Sequence, residues 1–177
     1  LLYNSIKNKT FESAIFYGPS GTGKTTLARI IASEMDAQFC ELNASVTGTK
    51  ELKEVLENAK FRFYGLENKT TYVYVDEFHR WNKLQQDSLL KALEEGIIRF
   101  IGSTTENPYF SINNAVLSRV RALYEFHRLN SGILREILDC ALEDGERGLK
   151  KYQIACEPEA LDMIAELSNG DARVALD

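Results

Sequence analysis

Gly18-Pro19-Ser20-Gly21-Thr22-Gly23-Lys24-Thr25 matches the pattern G-x-x-x-x-G-K-[ST] in full, and its flanks are the two elements such a loop requires. Upstream, the apolar run Ala14-Ile15-Phe16-Tyr17 predicts a strand. Downstream, Leu27, Ala28, Ile30, Ile31 and Ala32 recur at helical spacing from Lys24 onward. The oxygens of a triphosphate only accept hydrogen bonds. Binding them takes inward-turned backbone N–H groups, glycines where a Cβ would obstruct the turn, and a helix N-terminus aimed at the charge. In this pattern Lys24 reaches the β- and γ-phosphates and Thr25 holds Mg²⁺. The predicted nucleotide-binding segment is therefore Gly18, Pro19, Ser20, Gly21, Thr22, Gly23, Lys24, Thr25 and Thr26.

Strands and helices alternate outward from this loop. Residues 36–42 predict a second strand, and Leu52, Val55, Leu56, Ala59 and Phe63 mark a helix from Thr49 to about Tyr64. After a loop over 65–70, the β-branched and aromatic run Thr71-Tyr72-Val73-Tyr74-Val75 reads as a buried strand. Leu84, Leu89, Leu90 and Leu93 predict one further helix closed by Gly96, and 97–102 predicts a strand. A polar turn is expected over 103–108, a short helix over 112–117 and a fifth strand over 122–126. From Arg128 onward three helical segments are expected, over 131–144, 157–168 and from Asp171, with no strand between them. The fold class this implies is α/β: a three-layer sandwich with a mainly parallel five-stranded sheet and a small α-helical appendage, divided as 1–127 and 128–177. Its ligand is expected at the carboxyl ends of the strands.

The strand 71–75 ends on Asp76-Glu77. Downstream of a phosphate loop, the first carboxylate suits Mg²⁺ held through its water shell and the second suits polarisation of an attacking water. Asp76-Glu77-Phe78-His79 also spells D-E-x-H, as in helicases. A superfamily-2 helicase needs a second motor domain, however, whereas this chain ends in helices, so His79 is expected to be a structural or coupling residue.

Composition bounds the class. The 177 residues are 44% hydrophobic and 27% charged, with no apolar run near the roughly 20 residues of a membrane span. A cytoplasmic location follows as the expectation, nucleoid-associated if the source is bacterial, with no membrane partner. Cys40, Cys140 and Cys156 lack metal-site spacing and are expected to be buried free thiols. Of the net charge of −5, all the acidic excess lies in 128–177, which carries six basic against eleven acidic residues. That segment is a poor nucleic-acid surface. The chain opens on Leu1-Leu2 and closes on Asp177, and it is expected to be a fragment with adenine-contacting and oligomerising parts outside it.

Taken together, Gly18–Thr25, the run Val75-Asp76-Glu77-Phe78-His79-Arg80-Trp81-Asn82-Lys83-Leu84-Gln85-Gln86-Asp87, the stretch Phe100-Ile101-Gly102-Ser103-Thr104-Thr105-Glu106-Asn107-Pro108, Leu117-Ser118-Arg119 and Gly170-Asp171-Ala172-Arg173 resemble successive motifs of AAA+ ATPases. More narrowly they resemble the RarA/MgsA family of replication-associated recombination proteins, relatives of clamp loaders and of the Werner-helicase-interacting protein. The resemblance implies a P-loop NTPase core with a helical lid, and ATP and Mg²⁺ as ligands. It gives Thr105 the sensor-1 place, with Asn107 as the nearby alternative. Arg119 takes the place of an arginine finger acting on a neighbouring subunit, with Arg121 as the competing candidate. Arg173 takes the place of sensor 2, and Glu77 that of the residue acting on water. As partners it implies a homo-oligomer, a tetramer in this family, single-stranded or gapped DNA, and replication proteins such as single-strand-binding protein. The implied role is at stalled or gapped forks; a clamp-loader subunit or a nucleotide switch with little hydrolysis are the alternatives. Ser20 stands where proline is common and Trp81 where phenylalanine is usual. Arg80-Trp81-Asn82-Lys83 could meet DNA through a stacked Trp81, or Trp81 could pack inside; the sequence leaves both open.

Overall fold

The computed structural model describes residues 2–65 and 69–177; residues 66–68 of the expected loop lie outside the described residues. The chain forms two compact units, one of residues 1–17 and 24–125, the other of 18–23 and 126–177.

The larger unit contains, in order, α1 (Leu2–Lys7), β1 (Ala14–Tyr17), α2 (Lys24–Glu34), β2 (Gln38–Asn43), α3 (Thr49–Tyr64) and β3 (Thr71–Asp76). A 3₁₀ turn follows over Phe78–Arg80, then α4 (Lys83–Asp87), α5 (Leu90–Glu94), β4 (Ile98–Thr104), α6 (Pro108–Ser111), α7 (Asn114–Leu117) and β5 (Ala122–Glu125). The five strands lie in the order β2-β3-β4-β1-β5, and every pairing is parallel. Side chains of β3 alternate between faces. Val73 and Val75 pack into a core with Leu52 and Ala59 of α3, while Tyr74 on the opposite face meets Thr25 of α2. Helices thus cover both faces, which makes three layers. Both faces being covered is why β3 is apolar along its length rather than alternating.

Several boundaries differ from expectation for local reasons. The second strand starts at Gln38 because Asp36 takes a left-handed φ of 49°, which no strand residue adopts. The single helix expected over 84–93 is two. The Ser88 hydroxyl donates to the Leu84 carbonyl, and the Leu89 N–H bonds Gln86 O, three residues back, so the ladder tightens and breaks there. An Asn82–Gln85 capping box starts α4. Ser103 and Thr104, expected in a turn, complete β4, and the turn shrinks. Asn107 and Pro108 then open the unanticipated α6, with Asn107 Oδ1 accepting from the Tyr109 N–H and proline at the first helical position. The short helix α1 was also not anticipated.

The smaller unit holds α8 (Ser131–Glu143), a 3₁₀ turn over Lys150–Tyr152, α9 (Pro158–Leu167) and α10 (Ala172–Leu176). Leu134 and Leu138 of α8 pack on Leu161 and Ala165 of α9 and Ala175 of α10. Asn130 caps α8 by accepting from the Ile133 N–H at 2.8 Å. The expectation of buried thiols needs correcting: Cys140 is exposed on α8, on the side away from Leu134 and Leu138, and Cys40 and Cys156 are half-buried; all three are free. No helix among the described residues is long and apolar enough to cross a membrane.

Candidate nucleotide site

Residues Gly18–Gly23 belong to the smaller unit, and there the loop's glycines are required. Gly18, Gly21 and Gly23 all have left-handed φ, of 133°, 66° and 90°. A Cβ on Gly18 would lie 2.0 Å from Phe126 O, and one on Gly21 would lie 1.7 Å from Asp171 Oδ1. Thr22 closes the turn by donating its hydroxyl to Pro19 O at 2.9 Å. The loop is tied to the start of α10: Ser20 Oγ donates to Asp171 Oδ2 at 3.0 Å, and the Ala172 N–H donates to Gly21 O at 3.0 Å. Asp171 is also the cap of α10, accepting from the Arg173 N–H at 2.9 Å. Burial works to raise its pKa, but the donated bonds from Arg173 N–H and Ser20 and the charge of Arg173 outweigh it and leave the carboxyl below its ordinary value. The Arg173 side chain is exposed, its Nε 3.6 Å from Asp171 Oδ1.

In the larger unit, α2 begins at Lys24, which is only 9% exposed. Thr25 is half-buried and Thr26 exposed in the first turn. Thr25 Oγ1 lies 2.8 Å from the Tyr74 hydroxyl, and that hydroxyl lies 3.4 Å from Asp76 Oδ1. Ser103 Oγ donates to the same Asp76 oxygen at 2.5 Å. Burial pushes the Tyr74 pKa up to about 12, against the bonds with Ser103 and Thr25, which lower it. The parallel register that sets Val75 opposite Gly102 brings Ser103 beside Asp76.

Glu77 follows with a left-handed φ of 56°, uncommon for a residue with a Cβ. Its carboxylate accepts from Arg80 Nε at 3.0 Å and lies 3.6 Å from His79 Nε2. His79, with an 11% exposed side chain, meets Thr104 Oγ1 through Nδ1 at 2.9 Å. It therefore ties the carboxylate-bearing turn to the end of β4. Thr105 is exposed, one residue past that strand, while Asn107 spends its side chain capping α6. Trp81 is 2% exposed and packs edge-on against Phe78, so of the two readings open for it the inside one holds; its indole N–H has no hydrogen-bond partner among the described residues. Arg119 is bound within its own unit: Nε donates to Glu94 Oε1 at 2.8 Å, Nη2 to the same oxygen, and Nη1 to Ala115 O at 2.7 Å. Arg121 pairs with Glu12 at 2.5 Å.

The structure thus joins Thr25 to Asp76 through Tyr74, a hydroxyl the sequence reading treated as strand filler. Ser103 and Thr104 were missed as partners of Asp76 and His79, because register between strands far apart in sequence is not written locally. The donors gathered here, a hydroxyl and a carboxylate, are all oxygen, the set that suits a hard cation such as Mg²⁺.

Residues 14–128 match the profile of the ATPase family associated with various cellular activities (AAA). The chain is 46% identical to the replication-associated recombination protein A of Haemophilus influenzae over 99% of its own length and 39% of that protein's. It is 41% identical to the ATPase WRNIP1 of Dictyostelium discoideum, over 99% of its length and 20% of the relative's. Among solved structures, the RuvB Holliday junction branch migration motor of Thermotoga maritima superposes with a TM-score of 0.77 at 25% identity, over 99% of this chain and 55% of that one. The chain spans about two fifths of the length of the first of these relatives.

Proposed function

We propose, from the premise that the chain belongs to the AAA family of ATPases, that it is the ATP-binding and ATP-hydrolysing module of a protein of DNA replication, recombination and repair that acts at stalled or gapped forks. The observation that carries the ATPase reading is the meeting of Thr25 and Asp76 at one hydroxyl. It sets the two groups suited to Mg²⁺ side by side at the start of the helix into which the phosphate loop runs. The fork reading is supported by the likeness to replication-associated recombination protein A.

In this reading the backbone of Gly18–Gly23 and the ammonium of Lys24 bind the β- and γ-phosphates. Thr25 and Asp76 hold Mg²⁺, which when bound neutralises charge on the phosphate oxygens. Glu77 takes a proton from the attacking water and Thr105 orients that water. Arg173 reaches the γ-phosphate of its own subunit, and Arg119 reaches that of a neighbour in a homo-oligomer. Two of these groups are engaged elsewhere in this protomer, Glu77 with Arg80 and Arg119 with Glu94. A lone protomer is accordingly slow. Steady-state ATPase of the full-length protein, with and without gapped or single-stranded DNA, tests the proposal. Stimulation by DNA is expected. An ATPase indifferent to every DNA would remove the fork role and leave the nucleotide chemistry standing.

A further inference from the structure

Tyr74 sits in the middle of an apolar strand, its ring stacked on Phe39 with centroids 6.0 Å apart, and the core needs nothing of it beyond the ring. Its hydroxyl nevertheless touches both groups assigned to the cation. The direction of these bonds can be worked out. An ionised carboxylate only accepts, so along the Tyr74–Asp76 contact the tyrosine is the donor. A phenol has one proton. With that proton turned toward Asp76 Oδ1, the 2.8 Å contact with Thr25 requires Thr25 Oγ1 to donate. A hydroxyl that gives its proton to Tyr74 keeps its lone pairs for the opposite side, the orientation a cation ligand needs. Asp76 Oδ1 takes its bonds from Ser103 and Tyr74, which fix the plane of the carboxylate.

We propose that Tyr74 is a positioning residue for Mg²⁺. Its hydroxyl draws the proton of Thr25 away from the cation and fixes the carboxylate of Asp76, so that both present acceptors before the metal arrives. The inference rests on the assignment of Thr25 and Asp76 as the Mg²⁺-binding pair. Partners that orient ligands in this way affect metal affinity by roughly 10–100-fold.

The test is Tyr74→Phe, which deletes one oxygen and keeps the ring. Binding of fluorescently labelled ATP is measured in EDTA and across a Mg²⁺ titration. The Mg²⁺ concentration that half-restores tight ATP binding should rise about tenfold, while affinity in EDTA and the melting temperature of the metal-free protein stay near those of wild type. An unchanged Mg²⁺ midpoint overturns the proposal. So does an equal loss of affinity in EDTA and in Mg²⁺, which would mean that the hydroxyl serves only packing. If ATP binding by the wild-type chain does not respond to Mg²⁺ at all, the assignment of Thr25 and Asp76 falls and takes this inference with it.

Discussion

Glu77 shows what a single residue surrenders to a role. Its left-handed backbone costs on the order of 1 kcal/mol for a side chain of this kind, and the local partner of its carboxylate is the exposed Arg80, an ion pair of little weight in stability. Asparagine tolerates that conformation better. Glu77→Asn is therefore expected to melt no lower than wild type, retain ATP binding and lose steady-state hydrolysis by at least about a hundredfold, the usual scale for removal of a proton acceptor. Retained hydrolysis would remove Glu77 from the water-activating role. The sequence marked Asp76, Glu77 and Lys24 through their spacing, since a motif is a statement about neighbours along the chain. It could not mark Tyr74 or Ser103. Their significance lies in which strand they face, and that emerges only when β3, α2 and β4 assemble.

Among the elements, α10 is the one on which most turns within the smaller unit. Asp171 caps it and also receives the Ser20 hydroxyl, so one carboxylate fixes a helix start and the middle of the phosphate loop. Its pKa is lowered in the folded protein. A lowered pKa means that the stabilisation is fully present above the ordinary aspartate value of about 4 and is lost as pH falls through the lower folded value. Asp171→Ala should cost about 1 kcal/mol at neutral pH, read from urea denaturation, and the gap to wild type should narrow as both are titrated into acid. A gap that holds constant with pH would show that the carboxylate charge is not what matters. The helices and strands themselves were largely readable, because hydrophobic period and punctuation are local. α4 and α5 were read as one helix because the hydroxyl of Ser88 competes for a backbone carbonyl, a contest that apolar spacing does not register.

Across the whole molecule, parallel strands in the order β2-β3-β4-β1-β5 place a phosphate loop after a central strand and an acidic pair after its neighbour but one. A mainly parallel sheet was legible from the alternation of strands and helices, but its order is written in no local pattern. Assembly brings in the Glu94–Arg119 pair. An arginine can satisfy one anion fully at a time, so under the finger role proposed for Arg119 its pairing inside a protomer and its pairing with a neighbour's phosphate would be rival equilibria. The outcome then depends on how many copies are present. ATPase per protomer should rise with protein concentration in the full-length protein, and Glu94→Gln, which weakens the internal rival, should shift that rise to lower concentration without changing the rate reached at saturation. A curve that Glu94→Gln leaves in place would show that the two pairings do not compete. If the curve does move, Glu94 sets a quorum: sparse protomers keep their arginines to themselves and spare the cell's ATP, and only a crowd lends them out.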